Sequence, residues 1–150
     1  MDNHGGHEPV LLEAVLRWLD VDRGGCFVDA TFGGGGYSRA LLRAGADRVV
    51  GLDRDPAAVA RGSTLAAGEP RFTMVEGRFG DLDRLVPQPV DGIVFDLGVS
   101  SFQLDEADRG FSFRFDGPLD MRVGREGPSA ADLVNGLDEA GLADLFFRYG

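Results

Sequence analysis

The stretch from Cys26 to Ser38, CFVDATFGGGGYS, restricts the folds open to this chain more than any other. Cys26 to Val28 is an apolar run with the length of a buried strand, and Asp29 ends it. Four glycines, Gly33 to Gly36, follow before a helical pattern starts near Ser38. Strand, acid, glycine turn and helix in that order build a nucleotide-type cofactor cradle. Glycine permits positive φ and lets a ligand approach the main chain where a Cβ would otherwise stand.

The segments around it continue the pattern. A helix is expected from about Glu8 to Leu19, with Pro9 in its first turn and Leu11, Val15, Trp18 and Leu19 on one stripe. The helix after the glycine turn runs from Ser38 to about Ala44, and Gly45 ends it. Arg48 to Leu52 reads as a second strand ending at Asp53, and Asp55-Pro56 opens a helix as its cap and first residue. Phe72 to Val75 is a third strand, followed by the loop Gly77-Arg78-Phe79 and a short helix from Asp81 to Val86. Asp91 to Leu97 is a fourth strand that ends near Asp96. Such alternation implies right-handed βαβ units, a parallel sheet and an α/β, Rossmann-like fold. Ligand groups then gather at the carboxyl ends of the strands, which are Asp29, Asp53, residues 77–79 and Asp96.

Beyond Gly98 the character changes. Residues 99–128 are rich in Gly, Ser, Asp, Arg and Phe without a long periodic pattern, which suggests a functional loop or the approach to a second module. Ser129 and Asp132 form a capping box for a helix to about Leu137. A last helix runs from Glu139 to Tyr149 on an apolar face of Leu142, Leu145 and Phe146. The chain divides on this reading into a cofactor-binding core, residues 1–104, and a loop with the start of a helical module, residues 105–150.

A net charge of −10 argues against a simple polyanion binder, and all 15 basic residues are arginine. No apolar run approaches the roughly 18–20 residues that a membrane span requires. The N-terminus lacks the basic and apolar regions of a secretory signal, and the single cysteine, Cys26, fits a core position in a reducing cytoplasm. His4 and His7 have no further ligands to complete a metal site, so no metal is expected.

Charge also bears on the cofactor. A dinucleotide places its pyrophosphate at the glycine turn and helix N-terminus, where the Asp29 carboxylate would oppose it. S-adenosylmethionine carries an ammonium, a carboxylate and a sulfonium but no phosphate. Counting from Gly33, the third glycine of the dinucleotide fingerprint falls on Ser38. Both points favour S-adenosylmethionine over NAD. Asp53, at the end of the second strand, suits the ribose hydroxyls of either.

Several further stretches carry a resemblance: His7 to Leu12, Asp53-Arg-Asp-Pro, Asp96 to Asp105, Arg109-Gly-Phe-Ser-Phe and Asp116 to Arg122. With the glycine turn they resemble, in order, the RsmH/MraW family of small-subunit ribosomal RNA methyltransferases. The resemblance implies a cytoplasmic enzyme that methylates the N4 amine of a cytidine in small-subunit rRNA, free or in a 30S-type particle, using S-adenosylmethionine. It implies that Gly35, Gly36 and Tyr37 line the methionine end of the cofactor, that Asp53 holds the ribose and that Phe79 packs by the adenine. Asp96 and Gln103 would complete the pocket near the reacting end. On the residues alone, Phe79 also fits a core position, Gln103 a solvated loop and Asp96 a cap of the next turn.

The chemistry is mainly a matter of positioning, since cytosine N4 is a poor nucleophile whose lone pair is delocalised into the ring. Asp96, or a carbonyl of the turn after it, is the candidate acceptor for the amine, and Phe111, Phe113 and Phe115 are candidates to stack on an extruded base. The family pattern continues well past Gly150, with a completed helical module and the remaining strands. Two other readings therefore stay open: a non-catalytic cofactor-binding fragment and an NAD-dependent oxidoreductase. A homodimer also stays open.

Overall fold

Four strands, β1 (Cys26–Asp29), β2 (Arg48–Asp53), β3 (Phe72–Glu76) and β4 (Gly92–Val94), form a parallel sheet in the order β3-β2-β1-β4. The computed structural model describes residues 9–150, so His4 and His7 lie outside the described residues. Two compact units are present, one ending at Gly98 and one running from Val99 to Gly150. The expected alternation is realised in the first unit, and the register sets Asp29 opposite Gly51 and Asp53 opposite Glu76.

Side chains alternate across the sheet because the strand repeat is two residues. Phe27, Val49, Phe72 and Val94 form a core with α1 (Leu12–Trp18), α2 (Gly36–Ala44) and α3 (Pro56–Gly68). On the other face Val28, Ala30 and Val50 meet Val86, with Leu82 and Leu85 of α4 (Leu82–Leu85) packed against them. The one-turn α4 covers much less of its face than the three helices opposite.

Local chemistry explains where each element starts and stops. The Asp55 side chain accepts the Ala57 amide at 3.0 Å with Pro56 at the first helical position, so α3 begins where its cap requires. Gly45 ends α2 in the left-handed conformation, φ 113°. The first helix differs from expectation. It starts at Leu12 because Leu11 adopts φ 54°, and the Val10 carbonyl accepts the Tyr37 hydroxyl. The fourth strand is also shorter than expected and leaves the ladder after Val94. The next amide available, that of Asp96, donates to Thr31 Oγ1 at 2.7 Å.

The second unit holds α5 (Ser101–Asp105), α6 (Ala130–Gly136) and α7 (Glu139–Tyr149). The expected capping box of Ser129 with Asp132 forms, and Ser100 with Gln103 makes a second one. Residues 106–128 lack strands and hold one short 3-10 turn, Ala107–Arg109. Three successive amides at the start of α6 find partners: Ala130 on the Asp120 carbonyl at 2.9 Å, Ala131 on the Leu119 carbonyl at 2.8 Å, and Asp132 on Ser129 Oγ at 3.1 Å. The helix end is thereby satisfied by the very loop that precedes it.

Candidate functional site

The sheet order makes β1 the strand where the chain reverses direction across the sheet, running out through β2 and β3 and returning to β4 on the other side. Ligands of open parallel sheets bind at such a switch point, outside the carboxyl ends of the strands. In this protein the switch point lies between the ends of β1 and β4, with the glycine turn above β1.

Asp29 is fully buried, with 0% of its surface exposed. Its Oδ2 accepts both the Ser38 hydroxyl at 2.7 Å and the Ser38 amide at 3.1 Å, and its Oδ1 accepts the Thr31 amide at 3.4 Å. Burial pushes its pKa up from 3.8 to about 6, against the opposing effect of these hydrogen bonds. The carboxylate thus caps α2 from beneath, in the position a phosphate would take at a helix N-terminus. The sequence suggests an acid facing the ligand; the structure places this acid inside the turn.

Gly35 adopts φ 76°, and a Cβ there would meet the Phe32 ring at 2.7 Å and Arg39 Nη1 at 2.8 Å. Only glycine fits that position. Arginines fasten the turn from outside, Arg39 on the Gly34 carbonyl at 2.6 Å and Arg61 on the Gly33 carbonyl at 3.2 Å. Asp53 closes the loop from β2, its Oδ2 accepting the Gly33 amide at 2.8 Å and its Oδ1 the Asp55 amide at 2.9 Å. Each oxygen keeps a second lone pair for a hydroxyl donor.

Tyr37 follows the glycines, but its side chain turns inward. The ring is buried and its hydroxyl donates to the Val10 carbonyl, holding the segment before α1 against the turn. Burial first, and the negative charge of Asp96 second, raise the phenol pKa. Phe79 lies half-exposed in a 3-10 turn and meets Phe95 edge-on, with centroids 5.8 Å apart and planes at 86°. Phe79 also borders a cleft of about 400 Å³ lined by Val28, Leu82, Val86, Val90 and Ile93, on the face that α4 covers thinly. That cleft contains none of the polar candidates. Asp96 is exposed just beyond β4.

Gly35, Gly36, Tyr37, Asp53, Phe79 and Asp96 all belong to the first unit, and Gln103 belongs to the second. There Gln103 is buried at the start of α5, its Oε1 accepting the Ser100 amide at 3.0 Å. The Ser-x-x-Gln spacing carries the sequence signal for this box.

Arg109, which the sequence marks only as the first residue of the Arg109-Gly-Phe-Ser-Phe stretch, is 4% exposed. Its Nη2 donates to the Val123 carbonyl at 2.9 Å and the Arg122 carbonyl at 3.3 Å, Glu106 lies 3.7 Å from Nη1, and the guanidinium stands 5.8 Å from the Phe111 ring centroid. Met121 returns its amide to the Arg109 carbonyl at 3.0 Å, so the two motifs around Arg109 and Arg122 form one clasp. Asp120 accepts Arg122 Nη2 at 2.6 Å, and that bond holds its carboxyl pKa down at about 2. Of the three phenylalanines, Phe113 is fully exposed, at 101%, and Phe115 half so.

The MraW methylase family matches residues 4–150. The chain is 57% identical to ribosomal RNA small subunit methyltransferase H of Gluconobacter oxydans over 98% of this chain and 46% of the relative. It is 58% identical to the protein of that name from Methylorubrum populi over 96% of this chain and 43% of the relative. It thus spans less than half the length of these two relatives. A solved rRNA methylase from Streptococcus thermophilus aligns at 22% identity with a TM-score of 0.47, over 60% of this chain and 58% of that one. With the match running through the glycine turn, both ends of the switch point and the clasp, the chain belongs to the MraW methylase family.

Proposed function

We propose that the first unit binds S-adenosylmethionine and serves a methyltransferase acting on the N4 amine of a cytidine in small-subunit rRNA, in the cytoplasm. Family membership supports this reading, and one structural observation carries the choice of cofactor. The Asp29 carboxylate already occupies the Ser38 amide and hydroxyl at the start of α2, so the cradle offers an acid where a pyrophosphate would need donors. The residues present fit a phosphate-free adenosyl cofactor. Gly35 and Gly36 would hold its methionine end, Asp53 its ribose, Phe79 its adenine and Asp96 its reacting end. Tyr37 would take part through its backbone, because its side chain holds Val10.

When bound, S-adenosylmethionine supplies an electrophilic methyl group on a sulfonium. The chain contributes position and charge. Asp96 stands at the switch point, where its carboxylate would accept a hydrogen bond from the N4 amine and stabilise positive charge building on that nitrogen. Phe113, whose ring is fully exposed, is the candidate among the three phenylalanines to stack on a base. Residues 1–104 would form the cofactor-binding part, and residues 105–150 a loop and the start of a helical substrate-recognition module.

Calorimetric titration of the chain with S-adenosylmethionine and with NAD is expected to show binding of the first alone; binding of NAD alone would favour the oxidoreductase. Transfer of labelled methyl to unmethylated small subunits then tests the reaction itself, and a chain that binds cofactor without any transfer would be a binding fragment. Where transfer occurs, Asp96→Asn is expected to lower turnover about 100-fold at saturating cofactor. Full turnover in that variant would remove the carboxylate from the mechanism.

A further inference from the structure

One side chain, that of Thr31, bridges the switch point. Thr31 lies two residues beyond the end of β1, and its Oγ1 accepts the Asp96 amide at 2.7 Å from a residue 65 positions further along the chain. Nearby, the Ala30 amide donates to the Val94 carbonyl at 2.9 Å, the last backbone bond between the two segments. Beyond it the chain from Phe95 to Gly98 is exposed and has left the sheet. Thr31 is itself held from below, because its amide donates to buried Asp29, which in turn holds Ser38 at the start of α2. A continuous series of bonds therefore runs from α2 through Asp29 and Thr31 to Asp96.

We infer that Thr31 is a positioning residue for Asp96, fixing the turn after β4 relative to the glycine turn through a single hydroxyl. The inference rests on the reading of Asp96 as part of the cofactor site. A valine at residue 31 keeps the shape of the side chain but removes the acceptor, leaving the Asp96 amide to seek solvent and the turn to move. A serine keeps the acceptor.

The test is a double-mutant cycle on S-adenosylhomocysteine binding to the chain, using Thr31→Val, Asp96→Ala and both together. Thr31→Val is expected to weaken binding about fivefold in the parent chain and to have little effect once Asp96 is alanine, while Thr31→Ser binds nearly as the parent does. Hydrogen exchange should quicken at the Asp96 amide in Thr31→Val, with the amides of β1 and β2 still protected, which shows that the fold survives. An equal loss in both backgrounds would assign Thr31 to the general stability of the cradle and overturn the inference, as would unchanged binding in Thr31→Val. If the parent chain does not bind S-adenosylhomocysteine, or if Asp96→Ala alone changes nothing, the reading of the site fails and the inference fails with it.

Discussion

Replacing Gly110 with alanine is expected to release the clasp of the second unit, at a loss of about 2–4 kcal/mol in local stability. Gly110 has φ 70°, a conformation in which an added Cβ is strained in its own right. That Cβ would also fall on the Pro118 carbonyl and come within 2.9 Å of the Asp120 amide nitrogen. Both are backbone groups, so neither can swing aside as the end of a side chain would. Movement there pulls on the Asp120 and Leu119 carbonyls that satisfy the start of α6. Faster hydrogen exchange at the Ala130, Ala131 and Met121 amides is therefore the readout. Gly127 provides the control, with φ 77° and nothing within 4 Å of its added Cβ. Gly127→Ala should lose only about 1 kcal/mol. Equal losses at the two positions would mean that backbone conformation alone, and not the close approach to Pro118, holds the clasp.

The second large effect concerns Asp29 and acidity. Its pKa stands at about 6 in the folded protein against 3.8 ordinarily. Between those values the folded state keeps a proton that the unfolded state has released. The contribution of Asp29 to stability is greatest below the ordinary value, falls as pH rises through this window and is constant above it. The total change is about 3 kcal/mol. Carboxylates with lowered pKa values, such as Asp120 and Asp132, act in the opposite sense. Raw stability would blend the two, so the measurement compares Asp29→Asn with the parent chain across the same pH series. Both proteins share the other titrations, and urea unfolding read on amides of β1 and β2 should show the variant gaining on the parent by up to about 3 kcal/mol from pH ~4 to pH ~7. A constant difference across the series would show that Asp29 does not titrate in that window.

The sheet and most helices of the first unit were legible because each has a local cause. Asp55-Pro56 can scarcely do anything other than start a helix, and Val49, Val50 and Leu52 have the character of a buried strand. Strand ends that gather acids and glycines marked the switch point in the same way. What the sequence concealed were features decided by distant partners. Leu11 turns away from helix geometry where Val10 accepts the Tyr37 hydroxyl, and β4 stops early where Thr31 takes the next amide. The orientation of Asp29 was hidden for the same reason: an acid after a strand reads as a ligand contact until Ser38 is seen beneath the turn. Arg109 gave no local sign of burial, since its acceptors are carbonyls that carry no sequence signature.

The position of β4 beside β1 also sets an order of assembly. Gly25 and Asp47, the contact that opens the β1–β2 pairing, are 22 residues apart, whereas Cys26 and Asp91, at the start of the β1–β4 pairing, are separated by 65. Closing the longer loop costs about 1 kcal/mol more in chain entropy. During synthesis β1, β2 and β3 also emerge before β4 exists. The glycine turn and Asp53 are therefore expected to meet before β4 adds the other wall of the crevice. A chain halted at that stage would display a formed glycine turn with one wall of its crevice still absent.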